Sequence, residues 1–112
     1  MKKVILDTNF IMTCVKQRID FFNDLELMGL EIIIPKQVVR ELERKKAELA
    51  LKVIKAHKFK NVDLKFNYVD KGLINYGKKY PGAIIATLDA DIKKKVLNTK
   101  IIIRGKKKLE VV

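Results

Sequence analysis

Two short apolar runs in this chain each stop at an aspartate, and that pairing restricts the fold more than any other feature. Lys3-Val4-Ile5-Leu6 ends on Asp7, with Thr8-Asn9 following at once; Ala83-Ile84-Ile85-Ala86-Thr87-Leu88 ends on Asp89. Short, isoleucine-rich runs of this kind read as buried parallel strands. In an open α/β sheet, ligands bind at the C-terminal ends of such strands. Each run therefore delivers a carboxylate to the edge where chemistry is done.

Three further apolar segments, Ile32–Ile34, Val62–Leu64 and Ile101–Ile103, read as strands. Helical patterns lie between them, over Phe10–Met28, Val38–Ala56, Lys71–Tyr80 and Ala90–Leu97. The alternation predicts a single α/β domain over residues 1–112, with a central parallel sheet of about five strands flanked by helices on both faces. Phe22, Leu25 and Met28 recur at helical spacing, as do Val38, Leu42, Leu49 and Val53. Gly29 stands where a helix C-terminal glycine belongs, Pro35 closes a strand and opens a helix, and Pro81-Gly82 marks a turn. The tail from Lys106 to Val112 has two readings, a short edge strand or a mobile end.

A chain of 112 residues is long enough for a real core. Its formal net charge is +12, unevenly placed: from Lys93 to Lys108 there are eight Lys or Arg and no acid. A second basic set, including Arg40, Arg44, Lys45 and Lys46, falls on a predicted helix. Lysine runs are most often solvated surface; the functional reading is a phosphate-binding surface, for which Arg40, Arg44, Arg104, Lys106, Lys107 and Lys108 are the candidates. The apolar runs are far shorter than the roughly 20 residues that span a bilayer, and the basic start breaks too early for a signal peptide. The expectation is a cytoplasmic protein that does not enter membranes. The single cysteine, Cys14, excludes an internal disulfide and a cysteine zinc cluster, and reads as a core residue.

Three more acids bear on the site. Glu41 lies in the first turns of the helix that follows Pro35, Asp70 opens the helix at Lys71, and Asp91 follows Asp89 by two positions. All five acids have ordinary structural roles available: Asp7, Asp70 and Asp89 precede predicted helices, where an aspartate N-cap contributes about 1 kcal/mol, and Glu41 and Asp91 read as early-helix acids that suit the helix dipole. If strand order reverses between the first and fourth strands, however, Asp7 and Asp89 face one another with Glu41 and Asp70 on flanking helices. Two carboxylates about 4 Å apart repel by roughly 4 kcal/mol at an effective dielectric near 20, so such a pocket needs protons or cations. Oxygen-only donors favour hard ions, magnesium or manganese, and those ions promote phosphodiester hydrolysis.

The ordered set of acids resembles the PIN domain family. The matching segments are Asp7-Thr8-Asn9 after the first strand, Val38-Val39-Arg40-Glu41-Leu42, Val69-Asp70-Lys71-Gly72-Leu73-Ile74, and Ala86-Thr87-Leu88-Asp89-Ala90-Asp91, together covering nearly the whole chain. The resemblance implies a small α/β sandwich and a divalent-metal endoribonuclease acting on RNA, either a toxin restrained by an antitoxin protein or a ribosomal-RNA maturation nuclease, and commonly a homodimer. Carried over by position, Asp7, Glu41, Asp70 and Asp89 would be catalytic and hold magnesium or manganese, with Asp91 a fifth ligand. Thr8, Asn9 and Thr87 would orient the carboxylates.

Other residues carry lesser expectations. His57 reads as a surface or helix-end residue before a general base. Phe66, Tyr68, Tyr76 and Tyr80 read first as packing and second as stacking platforms for bases. Three rival functions remain: a single-strand DNA or flap nuclease, an inactive nucleic-acid- or partner-binding module on the same fold, and an aspartyl phosphotransferase or phosphatase. The last lacks its second early acid, since position 9 is Asn. No phosphate loop of the Gly-x-x-x-x-Gly-Lys-Ser/Thr kind is present.

Overall fold

Strands Lys3–Leu6 (β1) and Ile84–Ala86 (β4) pair directly and in parallel, placing Leu6 opposite Ala86. This is the central fact of the computed structural model, which describes residues 2–105 and 107–112. In chain order the elements are β1, helices Thr8–Lys16 (α1) and Phe21–Leu27 (α2), strand Glu31–Pro35 (β2), helices Lys36–Arg44 (α3) and Glu48–Lys55 (α4), strand Lys60–Val62 (β3), helix Val69–Lys79 (α5), β4, helix Ala90–Lys95 (α6), and strands Lys100–Arg104 (β5) and Lys108–Val111 (β6). The sheet runs β3-β2-β1-β4-β5-β6. Its first five strands in sequence are mutually parallel, and β6 returns antiparallel to β5.

The chain thus winds outward from β1 through β2 to β3, then crosses back to β4 and winds the other way. Right-handed crossovers require the two halves to place their helices on opposite faces. The contacts agree: α1 packs with α3 and α4, and α5 with α6. β-branched and leucine side chains fill both interfaces, with Val4, Ile5, Leu6, Ile33, Ile34 and Ile85 almost wholly buried. Among the described residues no helix is long and apolar enough to cross a membrane.

Two long helices expected from periodicity are each broken in two. A helix over Phe10–Met28 or Val38–Ala56 would run about 28 Å, the width of a molecule measuring 31 × 28 × 26 Å. Instead α1 stops, Arg18 takes a left-handed backbone with φ 59°, and the Asp20 side chain accepts from the Asn23 amide to start α2. Lys46, with φ 54°, makes the same break between α3 and α4. The break resets the helical phase, so Ala50 and Ile54 are buried while Leu49 is exposed. Gly29, with φ 76°, ends α2 as expected.

The sheet has six strands rather than about five, because the tail pairs with β5. β3 begins two residues earlier than Val62. The residues after it are drawn instead to Gln37, whose amide nitrogen donates to Asp63 at 2.7 Å and whose oxygen accepts from the Leu64 amide at 3.0 Å. Leu64 in turn lies against α5 at Gly72, where a Cβ would meet the Leu64 Cβ at 2.8 Å.

Candidate functional site

The sheet order brings the ends of β1 and β4 side by side, and the residues just beyond them form a bonded unit. The Asp7 amide donates to the Ala86 carbonyl at 3.0 Å, extending the ladder by one step. Asp7 then caps α1: Oδ1 accepts from the Thr8 amide at 2.8 Å. Its other oxygen, Oδ2, accepts from the Thr87 hydroxyl at 2.7 Å. The same hydroxyl accepts from the Asp89 amide at 3.1 Å. Asp89 caps α6 through Oδ1, which takes the amides of Asp91 and Ile92 at 2.8 and 3.2 Å. The cap roles weighed for Asp7 and Asp89 are therefore real, and they coexist with convergence of the two acids; Asp70 does not cap its helix, because α5 starts one residue before it, at Val69, with Tyr68 in the cap position.

Asp7 is buried, and burial is what chiefly raises its carboxyl above the ordinary value of 3.8. The hydrogen bonds from Thr87 and Thr8 oppose that rise, while the negative charges of Asp89 and Glu41 add to it. Carboxylates from the β4–α6 turn and from α3 thus both act on the one that follows β1. Thr87 is fully buried. Thr8 is buried beside Asp7, and its hydroxyl has no hydrogen-bond partner among the described residues. Asn9 is exposed.

The remaining expected ligands are not bonded into this unit. Asp70 is exposed in the first turn of α5. Asp91 is exposed and pairs with Lys95 at 3.1 Å along α6. Glu41 is half-buried, with the Arg44 guanidinium 4.0 Å away. Among the described residues, no three or more His, Cys, Asp or Glu side chains stand close enough together to hold a metal ion. The five-acid shell expected from sequence is therefore not drawn tight: two of its members are engaged by basic neighbours and Asp7 by two donors.

The basic candidates divide. Arg40 and Arg44 line a hollow of about 520 Å³ with Gln37, Glu43, Phe66 and Asn67. Arg104 is bound in a two-toothed ion pair to Glu110, at 2.8 and 2.9 Å, across the β5–β6 hairpin. The expectation that it offers a guanidinium to phosphate is thus met by an internal carboxylate. Lys107 and Lys108 are exposed, and Lys106 lies outside the described residues.

His57 stacks on Phe22 at 4.2 Å, and its Nδ1 lies 2.8 Å from the Val53 carbonyl oxygen at the end of α4. Cys14 is core, its thiol pushed up to about 12 by burial. Sequence reasoning passed over two polar residues that hold loops. Gln37 fixes the turn after β3, and buried Asn98 donates to the Tyr80 and Ala83 carbonyls, both at 2.9 Å, clamping Pro81-Gly82. Gln37 had a signal, since it precedes Val38 on the buried phase of α3; Asn98, in a short polar turn, had none.

Comparison with known proteins bears on the family and the fold. A family profile described as a PIN like domain matches residues 4–106. Ribonuclease VapC4 of Methanocaldococcus jannaschii is 32% identical over 127 aligned positions, covering 99% of this chain and 97% of that protein. Among solved structures, the PIN domain endonuclease Utp24 superposes with a TM-score of 0.85 at 25% identity, over 97% of this chain and 90% of the other. VapBC2 from Rickettsia felis, bound to a DNA fragment from its promoter, superposes at 0.59 with 16% identity, over 91% of this chain and 99% of that one.

Proposed function

The chain belongs to the PIN-like domain family, and from that premise we propose that it is a divalent-metal-dependent endoribonuclease that hydrolyses RNA phosphodiester bonds. The observation that carries the proposal is the Asp7–Thr87–Asp89 unit at the sheet's switch point, with Glu41 close enough to add to the raised Asp7 carboxyl. Repulsion of that kind is relieved by a hard cation. The donor chemistry fits one: the acids offer only oxygen, and Asp89 Oδ2 accepts no hydrogen bond among the described residues.

Asp7, Glu41, Asp70 and Asp89 would hold magnesium or manganese, with Asp91 released from Lys95 as a further ligand. The bound ion supplies Lewis-acid charge for the phosphoryl group and lowers the pKa of water. The chain's own part is positional. Thr87 favours the ionised form of Asp7 by donating to it and accepts from the Asp89 amide. The two helix starts hold the caps rigid, so the carboxylates meet the ion without reorganisation. Arg40, and Arg44 once it leaves Glu41, would take phosphates of the RNA beside the acids.

The relationship to VapC4 favours a toxin held by an antitoxin protein. The closer superposition on Utp24 favours a second reading, an RNA-processing endonuclease without an antitoxin. A homodimer and a cytoplasmic setting go with either. The test is RNA cleavage by wild type with manganese or magnesium, against EDTA and against Asp7→Asn. Metal-independent cleavage, or cleavage by the variant at the wild-type rate, removes the proposal.

A further inference from the structure

A groove of about 930 Å³ runs along α5 and ends far from the acids. It starts at Phe66, in the loop leading into α5 at the C-terminal edge of the sheet. It follows one face of the helix past Asn75, Tyr76, Lys79 and Tyr80, and reaches Lys2 and Lys3 where β1 begins. Of α5 only the second half lines the groove, through Asn75, Tyr76 and Lys79, and Lys60 and Val62 of β3 line it as well, between Phe66 at one edge of the sheet and Lys2 and Lys3 at the other.

Its lining has two components. Lys2, Lys3, Lys60, Lys65 and Lys79 face it, against the single acid Asp63 among the described lining residues. Lys60 is shared with Glu31 at 3.7 Å, and Asp63 is occupied by Gln37 and the Lys65 amide. The aromatic component is Phe66, Tyr76 and Tyr80. Tyr76 and Tyr80 pack with ring centres 4.7 Å apart, and the Lys79 ammonium lies over the Tyr80 ring at 5.6 Å. Tyr80 and Phe66 remain 46% and 38% exposed, too open for core packing alone. Lysines that follow a backbone, interleaved with accessible rings, are the pattern that holds single strands without reading their sequence.

Phe66 supplies the continuity. It lines this groove and also the hollow formed by Arg40 and Arg44, and the Arg44 guanidinium lies 4.0 Å from the Glu41 carboxylate. A strand lying against the acids can pass Arg40 and Arg44, cross Phe66 and continue down α5 without leaving basic surface. We propose that the α5 groove is the track for the single-stranded RNA flanking the cut, with Phe66 and Tyr80 stacking bases and Lys65 and Lys79 holding phosphates. The proposal rests on the endoribonuclease reading for the identity of the strand. An acidic protein segment is the competing occupant; it would use the lysines but leave the rings idle.

The test measures binding without catalysis. Affinity for a labelled oligouridylate is followed by anisotropy in EDTA for wild type, Tyr80→Ala, the pair Lys65→Ala/Lys79→Ala, and Lys94→Ala on α6 as control. Tyr80→Ala is expected to weaken binding about fivefold or more. The lysine pair is expected to flatten the log-affinity against log-salt slope by about 1.4, near 0.7 for each phosphate lost, with Lys94→Ala like wild type. A second readout needs no substitution: photo-crosslinking of a 4-thiouridine oligonucleotide to wild type should map to Phe66 and Tyr80. Wild-type affinity and slope in all variants, crosslinks confined elsewhere, or binding of polyglutamate but not RNA would each overturn the track. If the groove variants weaken binding while manganese gives no cleavage by wild type, the track stands and the nuclease reading falls.

Discussion

The Thr87 hydroxyl donates to Asp7 Oδ2 at 2.7 Å, joining residues 80 positions apart in sequence. Because that hydroxyl also accepts from the Asp89 amide at 3.1 Å, one buried side chain holds both acids of the switch point in register. It favours the ionised form of Asp7 against a burial that disfavours it.

Replacing Thr87 with valine keeps the shape and removes both bonds. The loss of a buried donor and acceptor should destabilise the fold by about 1–3 kcal/mol. Without the donor, the Asp7 carboxyl rises further, so the acid limb of the RNA-cleavage profile should move to higher pH. Thr87→Ser should restore the limb. A valine variant with the wild-type profile would show that the hydroxyl does not govern Asp7.

Asp7→Asn separates stability from activity. The Asp7 carboxyl titrates above 3.8 in the folded state. Between 3.8 and that higher value, the folded chain holds a proton that the unfolded chain has released. Stability therefore falls as pH rises through this window, and at neutral pH the charge is a net burden. The asparagine variant should melt at or a few degrees above wild type in EDTA at pH 7, while RNA cleavage drops about 100-fold or more. A clear fall in melting temperature would contradict the sign worked out here.

Manganese should do the reverse in wild type. An ion that binds only the folded acids stabilises by RT ln(1 + [L]/Kd), about 2.7 kcal/mol at a hundredfold excess over Kd. The melting temperature should rise with manganese at pH 7. The rise should shrink in Asp7→Asn, and shrink in wild type as the pH falls toward the protonation of Asp7. Equal shifts in both proteins would place the ion elsewhere.

Glu110 should mask Arg104 from phosphate. The pair holds the Glu110 carboxyl below its usual range and the Arg104 guanidinium above its own. Arg104→Ala should leave the salt dependence of RNA binding unchanged, whereas Glu110→Gln should steepen the slope by about 0.7 as a guanidinium is released. Titration of RNA binding at several salt concentrations decides between them.

Gly72→Ala tests the seat of α5. The added Cβ would lie 2.8 Å from both Cβ and Cδ1 of Leu64, in the segment pinned by Gln37. Overpacking of this kind costs about 1–3 kcal/mol, visible as a lower urea midpoint with an unchanged m-value.

The strand ends carrying Asp7 and Asp89 were legible in the sequence because a buried parallel strand is a continuous apolar run, and an acid at its end interrupts that run sharply. The same local signal located Gly29, Pro35 and the alternation that makes a doubly wound sheet. Periodicity erred at Arg18 and Lys46, since a helical stripe does not record where the chain must turn back to stay within a body about 30 Å across. It was silent on Asn98, whose partners are backbone carbonyls of another loop, and although it set Gln37 on the buried phase of α3 it did not record that Asp63 and Leu64 would meet it there. That Asp7 leans on Thr87 and that Arg104 turns to Glu110 follows from which strands the sheet sets side by side, β1 with β4 and β5 with β6. Composition lists those partners, but hydrogen bonds and ion pairs are short-ranged, so only the packed chain selects which of them meet.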